Sequence, residues 1–188
     1  MTLSHALLPS QSRFAQVLMV LAGSVFIAIA AQISVPMFPV PMTLQTMAIL
    51  MVGMTMGARL GAATLLVYLA EGAMGLPVFA NGAAGLPYMM GPTGGFLIGF
   101  VAMAWLAGLA TESGVADKFA PAALCMITIS ALLYLPGLAW PAAFMGKSFD
   151  VLWVHWMSPF LIGDAIKAIV AAMIVFGGWA ALKAKKAK

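Results

Sequence analysis

Asp164 and Lys167 stand three residues apart in FLIGDAIKAIVAAMIVF, a segment in which every other side chain is apolar or absent. At that spacing the two lie on one face of a helix, about one turn from each other, so they can touch or clamp one ligand. A charge placed in hydrocarbon costs from about 3 kcal/mol upward, so such residues turn into a protein interior or wet cavity and mark a functional site. The structural alternative is an ion pair that pins the last helix to its neighbours. Asn81 and Tyr88 are uncharged hydrogen-bonding side chains of EGAMGLPVFANGAAGLPYMMGPTGG, a stretch too rich in Gly and Pro to continue a helix and too apolar to float in water. Irregular backbone at membrane depth is tolerated where it lines a cavity, which makes this loop a lid over an outward pocket. Other chemistries find no residues. His5 and His155 have no carboxylate or Cys neighbour at ligand spacing, so no metal site is expected. GPTGG lacks the Lys and the spacing of a Walker A loop. Cys125 lies in the apolar run ALCMITISALLYL and reads as a small buried hydrophobe. A membrane-embedded enzyme moving a proton between Asp164 and Lys167 is the alternative function, with no His, Cys or second carboxylate near them in the sequence to help. A scaffold would need no buried charges.

The elements that carry these residues follow from composition. Of the 188 residues, 64% are hydrophobic and 7% charged, with a mean hydropathy of +1.07, more apolar surface than a water-soluble core could hide. An all-α integral membrane protein results, one domain over 1–188, located multi-pass in the cell membrane. Apolar runs divided by Pro, Gly and charge predict six spans near 14–35, 42–56, 60–72, 93–111, 119–138 and 159–182. Arg13, Arg59, Lys118 and the terminal Lys183, Lys185, Lys186 and Lys188 then fall on one side and only Lys147 on the other. This places both termini in the cytoplasm. The same cluster of lysines suits anionic headgroups, and no nucleic-acid role is read from the net charge of +4. SVFIAIAAQ offers an Ala-x-Ala pattern of the kind that ends a secretory signal, but Arg13 is the one strong cation before it, and its removal would leave five spans. Asp164, five residues past Pro159, sits roughly 8 Å into the membrane from the outer face. Trp140, Trp153 and Trp156 are expected in the last outer loop as interfacial anchors, and Glu71 as a solvated residue at the outer end of the third span. Small residues at four-residue intervals, Gly53, Gly57 and Gly61 and then Gly91, Gly95 and Gly99, are expected to let helices of this chain approach closely.

Four segments in order, PVPMTLQT (39–46), YLAEGAMGLPVFANGAAG (68–85), GPTGGFLIGF (91–100) and GDAIKAIVA (163–171), resemble the BioY family, the biotin-specific S components of energy-coupling-factor transporters. The resemblance spans nearly the whole chain. It implies a six-helix bundle of the S-component type that captures biotin from outside without doing chemistry on it. It also implies a transmembrane coupling protein and a pair of ABC-type ATPases as partners, with ATP used by those partners and no cofactor in this chain. A ligand set of Asp164, Lys167, Asn81, Tyr88, Gln45 and Thr43 is implied as well. In register with the family's small-xxx-small contact to the coupling protein stand Ser24 and Ala28, where two alanines are the commoner pair. Glu71 also departs from the family's apolar pattern. Another small vitamin is the alternative substrate. Biotin presents ureido N–H donors, an apolar bicycle and a carboxylate on a flexible chain. Asp164 can accept and Lys167 can meet a carboxylate, and the sequence leaves open which end of the ligand each one faces.

Overall fold

A computed structural model describes residues 12–115 and 118–186, with side chains as far as residue 181. The expectations placed on His5 and on the side chains of Lys183, Lys185, Lys186 and Lys188 lie outside the described residues. Helix α1 (Arg13–Gln32) starts where Ser12 turns its Oγ onto the amide of Ala15 at 3.2 Å, satisfying one of the free N–H groups of the first turn. Its inner face is Gly23, Ser24, Ile27, Ala30 and Ala31, while Phe14, Val17, Leu21, Val25 and Ile29 point outward, as suits a helix with lipid on one side. The connection to the next helix carries two short antiparallel strands, β1 (Ser34–Val35) and β2 (Met42–Thr43), with Ser34 opposite Thr43.

Helices α2 (Gln45–Met56) and α3 (Ala58–Ala73) are divided by Gly57 at φ +85°, a backbone state that disfavours any residue with a Cβ. Gly57 turns the chain between the two helices and is also buried in the close packing that the sequence suggested, since a Cβ on Gly108 would strike its carbonyl carbon. Gly53 likewise serves close approach, since a Cβ there would strike the carbonyl of Ala104 on α5 (Gly94–Glu112). Glu112, at the far end of α5, accepts from the amide of Ala58 at 2.9 Å and so caps the start of α3 with a carboxylate. A 3-10 turn (Ala80–Gly82) and the short α4 (Gly85–Met89) occupy the long loop before α5.

Helices α6 (Phe119–Leu132) and α7 (Tyr134–Met145) run on as one apolar length, Phe119–Met145, well past the expected end at residue 138. What was read as an outer loop after it is largely helical: α8 (Phe149–Leu152) and a π-helical turn (Trp153–Met157) lead into α9 (Leu161–Lys186). Helix α9 packs on α6 and α2, α5 packs on α2 and α3, and α1 packs on α3. Arg13–Gln32, Gly94–Glu112, Phe119–Met145 and Leu161–Ala181 are long and apolar enough to cross a membrane, and Gln45–Met56 is a shorter apolar helix. The expected second and third spans fall short because at 1.5 Å per residue α2 and α3 reach about 18 and 24 Å.

Candidate ligand-binding site

The pair that opened the sequence reading meets in the fold. Asp164 and Lys167, 8% and 9% exposed, are joined by a salt bridge of 2.6 Å one turn into α9. Asp164 also accepts from Thr46 Oγ1 at 3.2 Å and from the Tyr134 hydroxyl at 2.7 Å, and Lys167 donates to the carbonyl of Thr43 at 3.0 Å. Each charge is thus matched by its neighbour and by further hydrogen bonds from three other elements, the arrangement under which a buried pair is tolerated. The pair is close to neutral as a unit, and it faces a cavity.

That cavity is walled by Val40, Phe96, Phe100, Leu133 and Phe160, with Asp164, Lys167, Thr43, Gln45, Tyr88 and Thr93 as polar points. Apolar walls and a few convergent polar groups are those of a small-molecule pocket. Phe96 stands edge-on to Tyr134 with ring centres 6.1 Å apart, so the apolar wall itself aims the hydroxyl that holds Asp164. Gln45 is fixed by a chain in which Thr43 Oγ1 donates to Gln45 Oε1 at 3.0 Å, Gln45 Nε2 donates to the Tyr68 hydroxyl at 2.7 Å, and that hydroxyl donates to the Val78 carbonyl at 2.9 Å. Tyr88 stacks on Phe79 at 5.3 Å, and burial pushes its phenol above the ordinary value, keeping it a donor.

The loop over the cavity is tied down from α1. Gln32 Nε2 donates to the Phe79 carbonyl at 3.0 Å while Gln32 Oε1 accepts from the Gly82 amide at 2.9 Å, so one carboxamide grips both sides of the turn. Phe79, fully buried, fills the space over Gly72 where a Cβ would collide with its ring. Asn81 is not brought into the cavity. Its backbone is left-handed, φ 58°, its side chain is exposed, and its Oδ1 accepts from Ser34 at 2.7 Å, so Ala80 takes the wall position instead. Ser24 is likewise turned inward. It has no exposed surface, and its Oγ donates to Glu71 Oε1 at 3.0 Å and to the Leu21 carbonyl at 2.9 Å, so the small-residue surface expected to meet a partner at this position is already covered by α3. Ala28 is half-buried against the same core. Glu71 is correspondingly not a solvated residue but a half-buried acceptor.

Trp140 and Trp156 are not free interfacial anchors. Their indole N–H groups donate to the carbonyls of Gly91 at 3.1 Å and Pro92 at 3.3 Å, and Trp156 is buried. Trp153 remains half-exposed. Sequence reasoning missed Thr46, Tyr134, Tyr68, Thr93 and Gln32. Thr46 lay inside the quoted PVPMTLQT, and Tyr68 and Tyr134 were hydroxyls in otherwise apolar spans, which need partners when buried.

A model of the BioY family matches residues 5–184. The probable biotin transporter BioY of Pyrococcus horikoshii is 35% identical over 147 residues, 78% of this chain and 85% of the relative. The biotin transporters BioY of Rhizobium etli and Thermotoga maritima are each 36% identical, over 76% and 79% of this chain and 79% and 86% of their own lengths. Among solved structures, the S-component for biotin from an ECF-type ABC transporter superposes with a TM-score of 0.77 at 24% identity, over 89% of this chain and 93% of that one, which establishes the shared fold. With the family pattern running almost end to end and relatives above 30% identity over three quarters of its length, the chain belongs to the BioY family.

Proposed function

We propose that this chain is the biotin-binding subunit of a vitamin uptake transporter, capturing biotin from outside in the cavity between Asp164, Gln45 and Tyr88. The carrying observation is the cavity itself: an apolar, aromatic-walled chamber with one buried, nearly neutral Asp–Lys pair on its wall. Biotin's ureido group combines N–H donors with a carbonyl acceptor, so it can give hydrogen bonds to Asp164 and take one from Lys167, and its bicycle suits the aromatic walls. The relatives' names support biotin over another vitamin. An enzyme built on the same pair loses its ground, because Asp164 is occupied by three donors and the family is one of transporters.

Six membrane crossings with both termini cytoplasmic remain the reading of topology, α2 and α3 forming the two short ones. Release of biotin inward is assigned to a transmembrane coupling protein and ABC-type ATPases in the cell membrane, which supply the ATP chemistry that this subunit does not perform. The test is copurification and equilibrium binding of radiolabelled biotin with the detergent-solubilised chain. Saturable binding of about one biotin per chain is expected, and its absence at micromolar ligand would falsify the proposal.

A further inference from the structure

The hydroxyl of Thr93 is buried, lies at the cavity wall and makes no hydrogen bond within the described residues. Thr93 is 9% exposed, and an unpaired polar group so deep in a protein carries a full desolvation cost, which makes it a place where a partner is missing. It is also the residue that opens α5, a helix of 19 residues, and its side chain does not cap that helix. The following amides of Gly95 and Phe96 have no backbone acceptor among the described residues, so the positive end of the α5 dipole is left open beside the hydroxyl. The Tyr88 phenol lies next to Thr93, outside good hydrogen-bond geometry with it.

The other hydroxyl donors near Asp164 are already engaged. Thr46 and Tyr134 give their hydrogens to Asp164, and Thr43 gives its own to Gln45. Lys167 is neutralised by Asp164 at 2.6 Å, and an anion brought to it would also meet that carboxylate. An uncharged group with both donors and an acceptor suits the Asp164–Lys167 end, and an anionic group does not.

We infer that the Thr93 hydroxyl, with the Tyr88 phenol and the first turn of α5, receives the carboxylate of the bound ligand. This deepens the biotin reading and rests on it: the ureido ring lies toward Asp164 and Lys167, and the valerate chain runs past Phe96 to Thr93. Thr93 is then the residue that separates a free carboxylic acid from its neutral derivatives.

The measurement is equilibrium binding of biotin and of biotin methyl ester to the solubilised wild type, Thr93→Val and Thr93→Ser, with thermal stability followed in parallel. Thr93→Val is expected to lose about tenfold or more for biotin while binding the ester within about threefold of wild type, and Thr93→Ser to restore the preference for the acid, as a charge-assisted hydrogen bond requires. Equal losses for acid and ester, or no loss for either, would overturn the inference while leaving the biotin reading standing. Wild-type protein that binds neither compound would overturn both.

Discussion

Asp164 is held on three sides before any ligand arrives, by Lys167 at 2.6 Å, Tyr134 at 2.7 Å and Thr46 at 3.2 Å. A carboxylate fixed in this way has no side-chain freedom left to lose on binding, which favours affinity over adaptability. Asp164→Asn and Lys167→Met are each expected to fold in detergent yet bind biotin about ten- to a hundred-fold more weakly, with the double variant no better. Tyr134→Phe keeps the ring against Phe96 and removes only the hydroxyl, so a smaller loss of about three- to tenfold is expected. If instead the pair serves only the fold, affinity stays unchanged in both single variants, their stability drops, and the double variant regains it. Asp164 and Lys167 were legible in the sequence because charge is conspicuous in an apolar run. Thr46 and Tyr134 were not read because uncharged hydroxyls inside helices are common and usually bond to their own backbone. Asn81 misled for a different reason: Asn before Gly reads equally as a ligand donor and as a residue suited to a left-handed backbone, and the second role turns its side chain to Ser34 and away from the cavity.

Ser24 and Glu71, the two positions at which the resemblance implied a departure, are joined at the level of helices. They meet between α1 and α3 at 3.0 Å, and the Ser24 hydroxyl donates to the Glu71 carboxylate. The sequence flagged each position but not the contact, because periodicity tells which face of a helix is buried and not which helix lies opposite. In a membrane setting such a bond holds helices together by about 0.5–1.5 kcal/mol. Ser24→Ala is therefore expected to lower the thermal midpoint in detergent by stranding Glu71, and Ser24→Ala with Glu71→Leu to recover it. Additive losses in that double-mutant cycle would show that the two side chains are not coupled. The segment after residue 139 escaped the sequence reading because Pro141 within α7 and Gly146 after it look like loop punctuation, whereas the proline is accommodated inside a helix that ends only at Met145.

Across the whole molecule, the proposed six-crossing arrangement puts the exposed positions 81 and 147 outside and 118 in the cytoplasm. Single cysteines placed there in a Cys125→Ala background should react with an impermeant maleimide from outside intact cells at 81 and 147 only. Reaction at 118 under the same conditions contradicts the orientation. The helical membrane bundle as a class was legible from apolar content. The break between α2 and α3 at Gly57 was legible too, since the spans expected at 42–56 and 60–72 leave it between them. A last consequence concerns light rather than binding energy. Trp140 and Trp156 hold the carbonyls of Gly91 and Pro92, the two residues that lead into Thr93. Indole emission responds to the polarity and hydrogen bonding around the ring, so a ligand settling against Thr93 should change the intrinsic fluorescence of the protein. The chain carries its own optical reporter of occupancy, and replacing both indoles with phenylalanine should silence it.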